Sequence, residues 1–397
     1  MGKIKVVHII TKLELGGAQE NTLFTVKHLD RASYEPVLIS GAEGILVEEA
    51  LTLEDVRVYL IPELVREIRP FKDVRALVRM WRILRKLQQE VTGERAGMGP
   101  HIIVHTHSSK AGILGRWAAR LAGIKLILHS VHGFSFNDFQ PSPVRAFYVF
   151  LESITARITT CFIAVSEANR EEGIVSGIFT SDKVTLIRSG IDIGRFQAET
   201  CDRVTMRRTL GVDDRVPLVA MIACFKPQKA PLDFIRVAKV VLDEMSDVHF
   251  LLVGDGVLRP AIEKLIRELG IRDNILLAGW RRDIPAIMQC IDLLVLTSLW
   301  EGLPRVLPEA MASGIPVVAS KVNGSPEAIK DGVNGYLLPP RAIGEMAQKV
   351  IELLQNPQKA SAMGEQGREL VQEFDIWKMV KQQEILYANL FNNGTSA

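Results

Sequence analysis

Leu299-Trp-Glu-Gly-Leu-Pro-Arg-Val-Leu-Pro-Glu-Ala-Met-Ala-Ser-Gly-Ile-Pro-Val-Val-Ala-Ser320 follows one short apolar run, Ile291 to Thr297, and contains a second, Ile315 to Ala319. Such runs suit parallel strands covered on both faces. Gly314 suits the left-handed residue that closes a helix, so the intervening stretch reads as a loop followed by a helix. The unit is therefore βαβ, which implies a parallel sheet. Glu301 falls at the carboxyl end of a strand, where open α/β sheets hold their ligands, and Glu309 falls about two turns further on, inside the helix. Leu303 to Val306 are expected to open that helix, aiming backbone N–H groups and the positive end of the dipole at a space between the carboxylates. An acid, an anion cradle and a second acid suit a sugar, a diphosphate and a ribose. The plainer alternative is a pair of solvated glutamates on an ordinary crossover.

Working outward, strand-like runs at Ile4 to Ile10, Pro36 to Ser40, Val56 to Ile61, His101 to His105, Lys125 to Ser130, Cys161 to Val165 and Lys183 to Ile187 alternate with helical stretches. That alternation predicts a mostly parallel sheet with helices on both faces. Arg188-Ser-Gly-Ile-Asp-Ile-Gly194 interrupts it. A second series then runs through Pro217 to Ala223, Val248 to Val253, Asn274 to Ala278, Ile291 to Thr297, Ile315 to Ala319 and Gly335 to Leu338. The expected class is α/β, with two Rossmann-like doubly wound domains, 1–190 and 191–375, facing a central cleft. Residues 376–392 are expected to pack back on the first domain, and Asn392 to Ala397 reads as a frayed tail.

With 397 residues, 47% of them hydrophobic and 24% charged, the chain buries large cores and is too long for one comfortable domain. The amino end has too short an apolar stretch for a signal sequence, and no run elsewhere approaches the ~18 apolar residues of a membrane span, so the expected location is cytoplasmic. Cys161, Cys201, Cys224 and Cys290 lack paired spacing, which argues against a zinc site and for reduced thiols. A net charge of only +2 gives no reason to expect a nucleic-acid partner.

The distribution of charge is less even. Leu64 to Gln88 carries eight basic and two acidic side chains, a local charge of +6. Val74, Leu77, Val78, Trp81, Leu84 and Gln88 trace one helical face, and Pro70 suits a first turn, so 64–88 reads as an amphipathic basic helix. It either covers a sheet with its charged side in water or touches anionic lipid headgroups at the inner face of a membrane.

Several loops after strands carry candidate chemistry. Gly16 and Gly17 follow the first strand and open a helix, allowing backbone to approach a phosphate or sugar closely; a ligand-free tight turn is the alternative. The full G-x-G-x-x-G spacing and a Walker lysine are missing, which disfavours a nicotinamide or ATP site. His105, His107, His129 and His132 fall at neighbouring strand ends. A metal is disfavoured because only Asp138 offers a nearby acid; packing or capping suits His105 and His107, and a substrate-facing loop position suits His132. Lys226 and Lys229 precede a helix of the second domain, where two ammoniums can neutralise a diphosphate or simply be solvated. Asp255 reads as a loop-shaping or capping group, and Trp280, Arg281 and Arg282 stand where a nucleobase pocket could form. Neither G-x-S-x-G nor H-E-x-x-H occurs, leaving a hydrolase or metalloprotease without a motif.

Taken in order, Gly16-Gly17, His132-Gly133, Ser189-Gly-Ile-Asp192, Lys229, Gly254-Asp-Gly256 and Glu301 to Glu309 with Gly314-Ile-Pro316 resemble a family-four retaining glycosyltransferase of the GT-B fold. The resemblance spans nearly the whole chain and is most specific from Glu301 to Ala319; Thr106-His-Ser-Ser-Lys-Ala-Gly112 is similar to members acting in bacterial surface-polysaccharide assembly. It implies a nucleotide-diphosphate sugar, UDP-type favoured, bound mainly by the second domain, with a polyprenyl-linked or glycan acceptor entering from the first. It implies no metal and no cofactor beyond that donor. By the same resemblance Glu309 holds the ribose and Glu301 the sugar hydroxyls. Lys229 meets the diphosphate, Gly302, Leu303 and Pro304 add backbone contacts, Gly16 and Gly17 lie at the donor, and His132 faces the reacting centre. The chain departs from the pattern at Cys224, where the family carries arginine; Lys226 offers a point charge in place of a bidentate fork. A nucleotide-sugar 2-epimerase and a non-catalytic sugar-nucleotide-binding subunit are the alternative functions.

Overall fold

The computed structural model describes residues 3–94, 102–137, 139–198 and 202–394. The apolar runs form thirteen strands: β1 (Ile4–Ile10), β2 (Tyr34–Gly41), β3 (Arg57–Ile61), β4 (Ile102–His107), β5 (Leu126–Val131), β6 (Cys161–Ala164), β7 (Val184–Leu186), β8 (Leu218–Ile222), β9 (His249–Val253), β10 (Ile275–Gly279), β11 (Leu293–Leu296), β12 (Val317–Ser320) and β13 (Gly335–Leu338). His101, expected to begin the fourth, lies outside the described residues. Val6, Val7, Ile9 and Ile10 of β1 and all four residues of β11 are at most 1% exposed, as strands covered by helices on both faces require.

Two units separate by their contacts, Met1–Gly190 with Ile376–Ala397, and Ile191–Asp375. The first holds an all-parallel sheet in the order β3-β2-β1-β4-β5-β6-β7, the second an all-parallel sheet in the order β10-β9-β8-β11-β12-β13. Each is a doubly wound, Rossmann-like fold. Strand order reverses between β1 and β4 in one and between β8 and β11 in the other, and the carboxyl ends of strands at such a switch point are where this architecture holds ligands.

The helix Ile376–Gly394 closes the first unit. Tyr34 Oη donates to the Glu384 carbonyl at 2.9 Å, Asp30 N donates to Glu384 Oε1 at 2.9 Å, and Tyr387 is wholly buried. A Cβ on Gly190 would sit 2.4 Å from Ile376 Cα, so only glycine lets the chain leave this unit beside the point where it returns. The helix runs to Gly394, past the Asn392 at which the sequence placed fraying; 395–397 lie outside the described residues.

The basic segment needs correction as well. The helix is Pro70–Glu94, and 64–69 precede it. Ala76, Met80, Leu84 and Leu87 form its buried stripe, flanked by Leu77, Trp81 and Ile83, whereas Val74 is 60% exposed. The spacing of four places Ala76 and Met80 against the sheet; Val74, in the first turn, lies off that stripe. No helix among the described residues is long and apolar enough to cross a membrane.

Candidate active site

In the second unit the loops after β8 and β11 are joined by hydrogen bonds. Thr297 Oγ1 donates to the carbonyls of Lys229 and Ala230 at 3.1 and 3.0 Å, Leu299 N donates to the Gln228 carbonyl at 2.8 Å, and Gln228 Nε2 donates to the Trp300 carbonyl at 2.9 Å. A short turn, Pro227–Lys229, ends at Ala230 in the left-handed region. These bonds fix where Lys229 projects. Its ammonium donates to Glu301 Oε1, which also accepts from Ser298 Oγ at 2.6 Å, while Glu301 N donates to Asn323 Oδ1 at 3.1 Å. Glu301 is 7% exposed, and its burial is offset by the ion pair and hydrogen bonds it makes. Eight residues on, Glu309 faces Arg305 at 3.6 Å, with both side chains nearly covered. Each of the two expected carboxylates thus has its own cation.

The helix behind them is Val306–Ser313, closed by Gly314 in the left-handed conformation. Leu303 and Pro304 therefore lie in the loop before it, contrary to the expectation that they open it. Pro304 and Pro308 have no N–H to give, and Leu307 N already donates to the Pro304 carbonyl at 3.0 Å, so the backbone anion cradle is thinner than the sequence implied. Side-chain cations carry more of the positive charge at this edge. Gly302 is buried in the same loop. Lys226 and Cys224 are half-buried, and Lys226 N donates to the Cys224 carbonyl at 2.8 Å.

The loop after β9 packs against this segment. A Cβ on Gly254, whose φ is +132°, would meet the Ala223 carbonyl oxygen at 2.0 Å. Asp255 accepts from Gly256 N at 2.7 Å and pairs with Arg259 at 2.9 Å, a loop-shaping role. Arg281 is held by Asp283, and Trp280 is half exposed.

The first unit presents a different edge. His8 on β1 pairs in register with His105 on β4, so the topology itself brings imidazoles to the switch point. His8 Nδ1 lies 3.0 Å from His107 Nε2, and His107 Nδ1 lies 3.2 Å from His132 Nε2. His105 uses both nitrogens, on Tyr387 Oη at 2.6 Å and Ser130 Oγ at 2.7 Å; Thr106 Oγ1 lies 2.9 Å from His129 Nδ1. Burial lowers the pKa of His8 to about 3 and of His132 to about 4, and holds His105, His107 and His129 well below the ordinary range. Nitrogens of His8, His105 and His107 approach within 4.8 Å of one another, but those of His105 and His107 are already in hydrogen bonds that a metal would have to break. Asp138 lies outside the described residues.

Gly16 precedes the helix Gly17–His28 in extended conformation. Asn21 in that helix, with its amide turned so that both ends are satisfied, donates to the Gly190 carbonyl at 2.8 Å and accepts from Ser189 Oγ at 3.2 Å. His132 and the glycines thus belong to the first unit's edge, Lys226, Lys229, Glu301 and Glu309 to the second's. Sequence reasoning missed His8, Ser298, Arg305 and Asn323. The available signals were a histidine inside an otherwise apolar strand and an Asn-Gly turn after β12.

Residues 15–195 match the family Glycosyltransferase Family 4, and residues 202–370 match Glycosyl transferases group 1. The chain is 31% identical over 396 residues, 98% of each chain, to an Escherichia coli UDP-Gal:alpha-D-GlcNAc-diphosphoundecaprenol alpha-1,3-galactosyltransferase. It is 26% identical to a putative glycosyltransferase, EpsD, of Bacillus subtilis, over 72% of this chain and 76% of that one. Among solved structures, Anabaena Alr3699/HepE in complex with UDP and glucose superposes with a TM-score of 0.82 at 22% identity, covering 97% of this chain and 99% of that one.

Proposed function

The chain belongs to the family-four glycosyltransferases of the GT-B fold, and from that premise we propose that it moves a hexose or N-acetylhexosamine from a UDP-type sugar donor to a lipid-linked or glycan acceptor in surface-polysaccharide synthesis. The observation that carries the reading is the Lys229–Glu301–Ser298 cluster at the second sheet's switch point. A full-length relative that by its name uses UDP-Gal and a diphosphoundecaprenol-linked sugar supports the donor and acceptor classes.

In this reading Lys229 and Lys226 face the diphosphate, Glu301 the sugar hydroxyls and Glu309 the ribose. Donor entry replaces intramolecular ion pairing with contacts to the ligand: the ammonium of Lys229 turns from Glu301 to phosphate oxygen, freeing that carboxylate to accept from sugar hydroxyls. Transfer proceeds with retention and without a metal, the side-chain cations stabilising the charge that develops on the leaving diphosphate. His132 lies at the reacting centre. The basic segment 64–88 meets an anionic membrane surface, which its exposed Ile68, Phe71 and Val74 among Arg66, Arg69, Lys72 and Arg75 would suit.

Purified full-length protein incubated with UDP-galactose, UDP-glucose, UDP-N-acetylglucosamine or GDP-mannose tests this, with and without an undecaprenyl-diphosphate-linked sugar and with a chelator present. A UDP-sugar should be consumed only when acceptor is present, its anomeric configuration should persist in the product, and Glu309→Ala should abolish transfer. Donor conversion without acceptor would mark an epimerase, and tight binding without turnover a binding subunit. Equal cosedimentation with neutral and anionic vesicles would end the membrane reading.

A further inference from the structure

His8, His107 and His132 form a continuous line of imidazoles, from β1 through β4 to the loop after β5. His107 is its middle member and has both nitrogens engaged. A neutral imidazole has one N–H and one lone pair, so His107 must donate to one neighbour and accept from the other. The line therefore has only two possible directions.

The far end distinguishes them. His8 Nε2 is buried and has no hydrogen-bond partner among the described residues. If the line ran from His132 inward, His8 would accept at Nδ1 and leave an N–H unsatisfied at Nε2. If it runs from His8 outward, His8 donates from Nδ1 and Nε2 carries only a lone pair. Orphaned buried N–H groups are rarer than under-satisfied acceptors, which favours the outward direction.

We propose that His8 and His107 are positioning residues that fix His132 as the tautomer protonated on Nδ1, so that His132 offers substrate a hydrogen-bond donor and not a base. The proposal rests on the glycosyltransferase reading for what His132 meets, a sugar hydroxyl or the oxygen leaving with the diphosphate, but not for the tautomer itself. His132 is half-buried, and its Nδ1 has no hydrogen-bond partner among the described residues, which leaves that N–H for a ligand. Behind it, the cavity shared by His107, His132, Ser130 and Gln383 measures about 10 Å³, room for one water, so the line is support for His132 and not a second binding pocket. Burial keeps the members neutral, as an alternating chain of donors and acceptors requires. The other titratable groups packed around the line are His105 on β4, His129 on β5 and Tyr387 on the closing helix. Burial raises the Tyr387 phenol well above its ordinary pKa, so that side is uncharged too.

Long-range proton–nitrogen NMR of the full chain labelled with ¹⁵N-histidine at neutral pH reads the tautomer directly, His132 being assigned by the signals that vanish in His132→Gln. The expected pattern is protonation on Nδ1; protonation on Nε2 overturns the proposal whether or not the chain transfers sugar. In the same spectra His107→Phe should leave His132 a mixture of tautomers, and His107→Gln, which can both donate and accept, should restore the Nδ1 form. With an active donor–acceptor pair, His107→Phe should lower kcat about tenfold while donor KM stays within about twofold, with recovery in His107→Gln. A His107→Phe protein with wild-type kcat and an unmixed His132 tautomer would also overturn it.

Discussion

At the switch point between β1 and β4 the first unit gathers His8, His105 and His107, buried and uncharged. At the switch point between β8 and β11 the second unit gathers Lys229 and Glu301, with Arg305 and Glu309 behind them, largely buried and held in salt bridges. Two sheets of the same topology thus accommodate polar groups in opposite ways. Imidazoles tolerate burial by releasing the proton, whereas a carboxylate and an ammonium tolerate it by finding each other. On the proposed function, the first solution offers directional donors and acceptors to neutral hydroxyls, and the second offers cations to a diphosphate that draws them from their carboxylates. Topology sets where ligands meet each unit, and the loop residues set which kind.

The largest effect should come from breaking the charged edge. Lys229→Ala removes the cation proposed for the diphosphate and leaves Glu301 buried without its partner. We expect kcat/KM to fall at least about 100-fold, with a stability loss of up to about 3 kcal/mol in urea unfolding. Adding Glu301→Gln should recover most of the stability and none of the activity. A Lys229→Ala enzyme with near-normal kcat/KM would show that the second edge is structural, and the contrast between the units would lose its functional meaning.

Acid should act next, and on the other edge. An unfolded histidine takes a proton below about pH 6.5, whereas folded His132 and His8 do so only near pH 4 and 3. Between those limits the unfolded state binds more protons, so stability is full above neutral pH and falls as pH drops below about 6.5. Each such imidazole contributes up to about 1.4 kcal/mol per pH unit. His105, His107 and His129 shift in the same direction, while the second unit has a single histidine, half-buried His249. Hydrogen exchange at pH 7 and pH 5 should show β1, β4 and β5 losing protection before β8 and β11. Equal losses in the two sheets would refute the contrast.

Much of this was legible in the chain. Every strand lies on the apolar run that marks it, most plainly where the strand is buried on both faces, as in β1 and β11, and has no polar periodicity to obscure its position. Glu301, Glu309 and Lys229 could be singled out because they follow such runs. The basic helix was misread at Val74 because a stripe containing Ala76 is nearly silent in hydrophobicity, and the helix at Glu309 because two prolines hid where its first turn begins. Contacts distant in sequence gave the least signal. Asn323 reaches Glu301 across 22 residues, and His8 reaches His107 across 99, so nothing local announces either bond.

The smallest predicted effect concerns Cys224, which stands where the family resemblance implies an arginine. Lys226 stands two residues on, half-buried, with its backbone N–H donating to the Cys224 carbonyl, and the loop beyond it is pinned by Thr297 and Gln228. Truncating the side chain leaves those backbone and loop bonds in place, so Lys226→Ala should weaken donor binding without dismantling the loop. A partly solvated ammonium near a diphosphate contributes about 1 kcal/mol, which is about fivefold in donor affinity by calorimetry. That loss should shrink as salt is raised, because a partly solvated charge is screened more than a buried one. Cys224→Arg should move affinity the other way by restoring a forked donor. Unchanged binding in Lys226→Ala would remove Lys226 from the site and leave the second edge dependent on Lys229 and Arg305, each of which the fold holds against a glutamate.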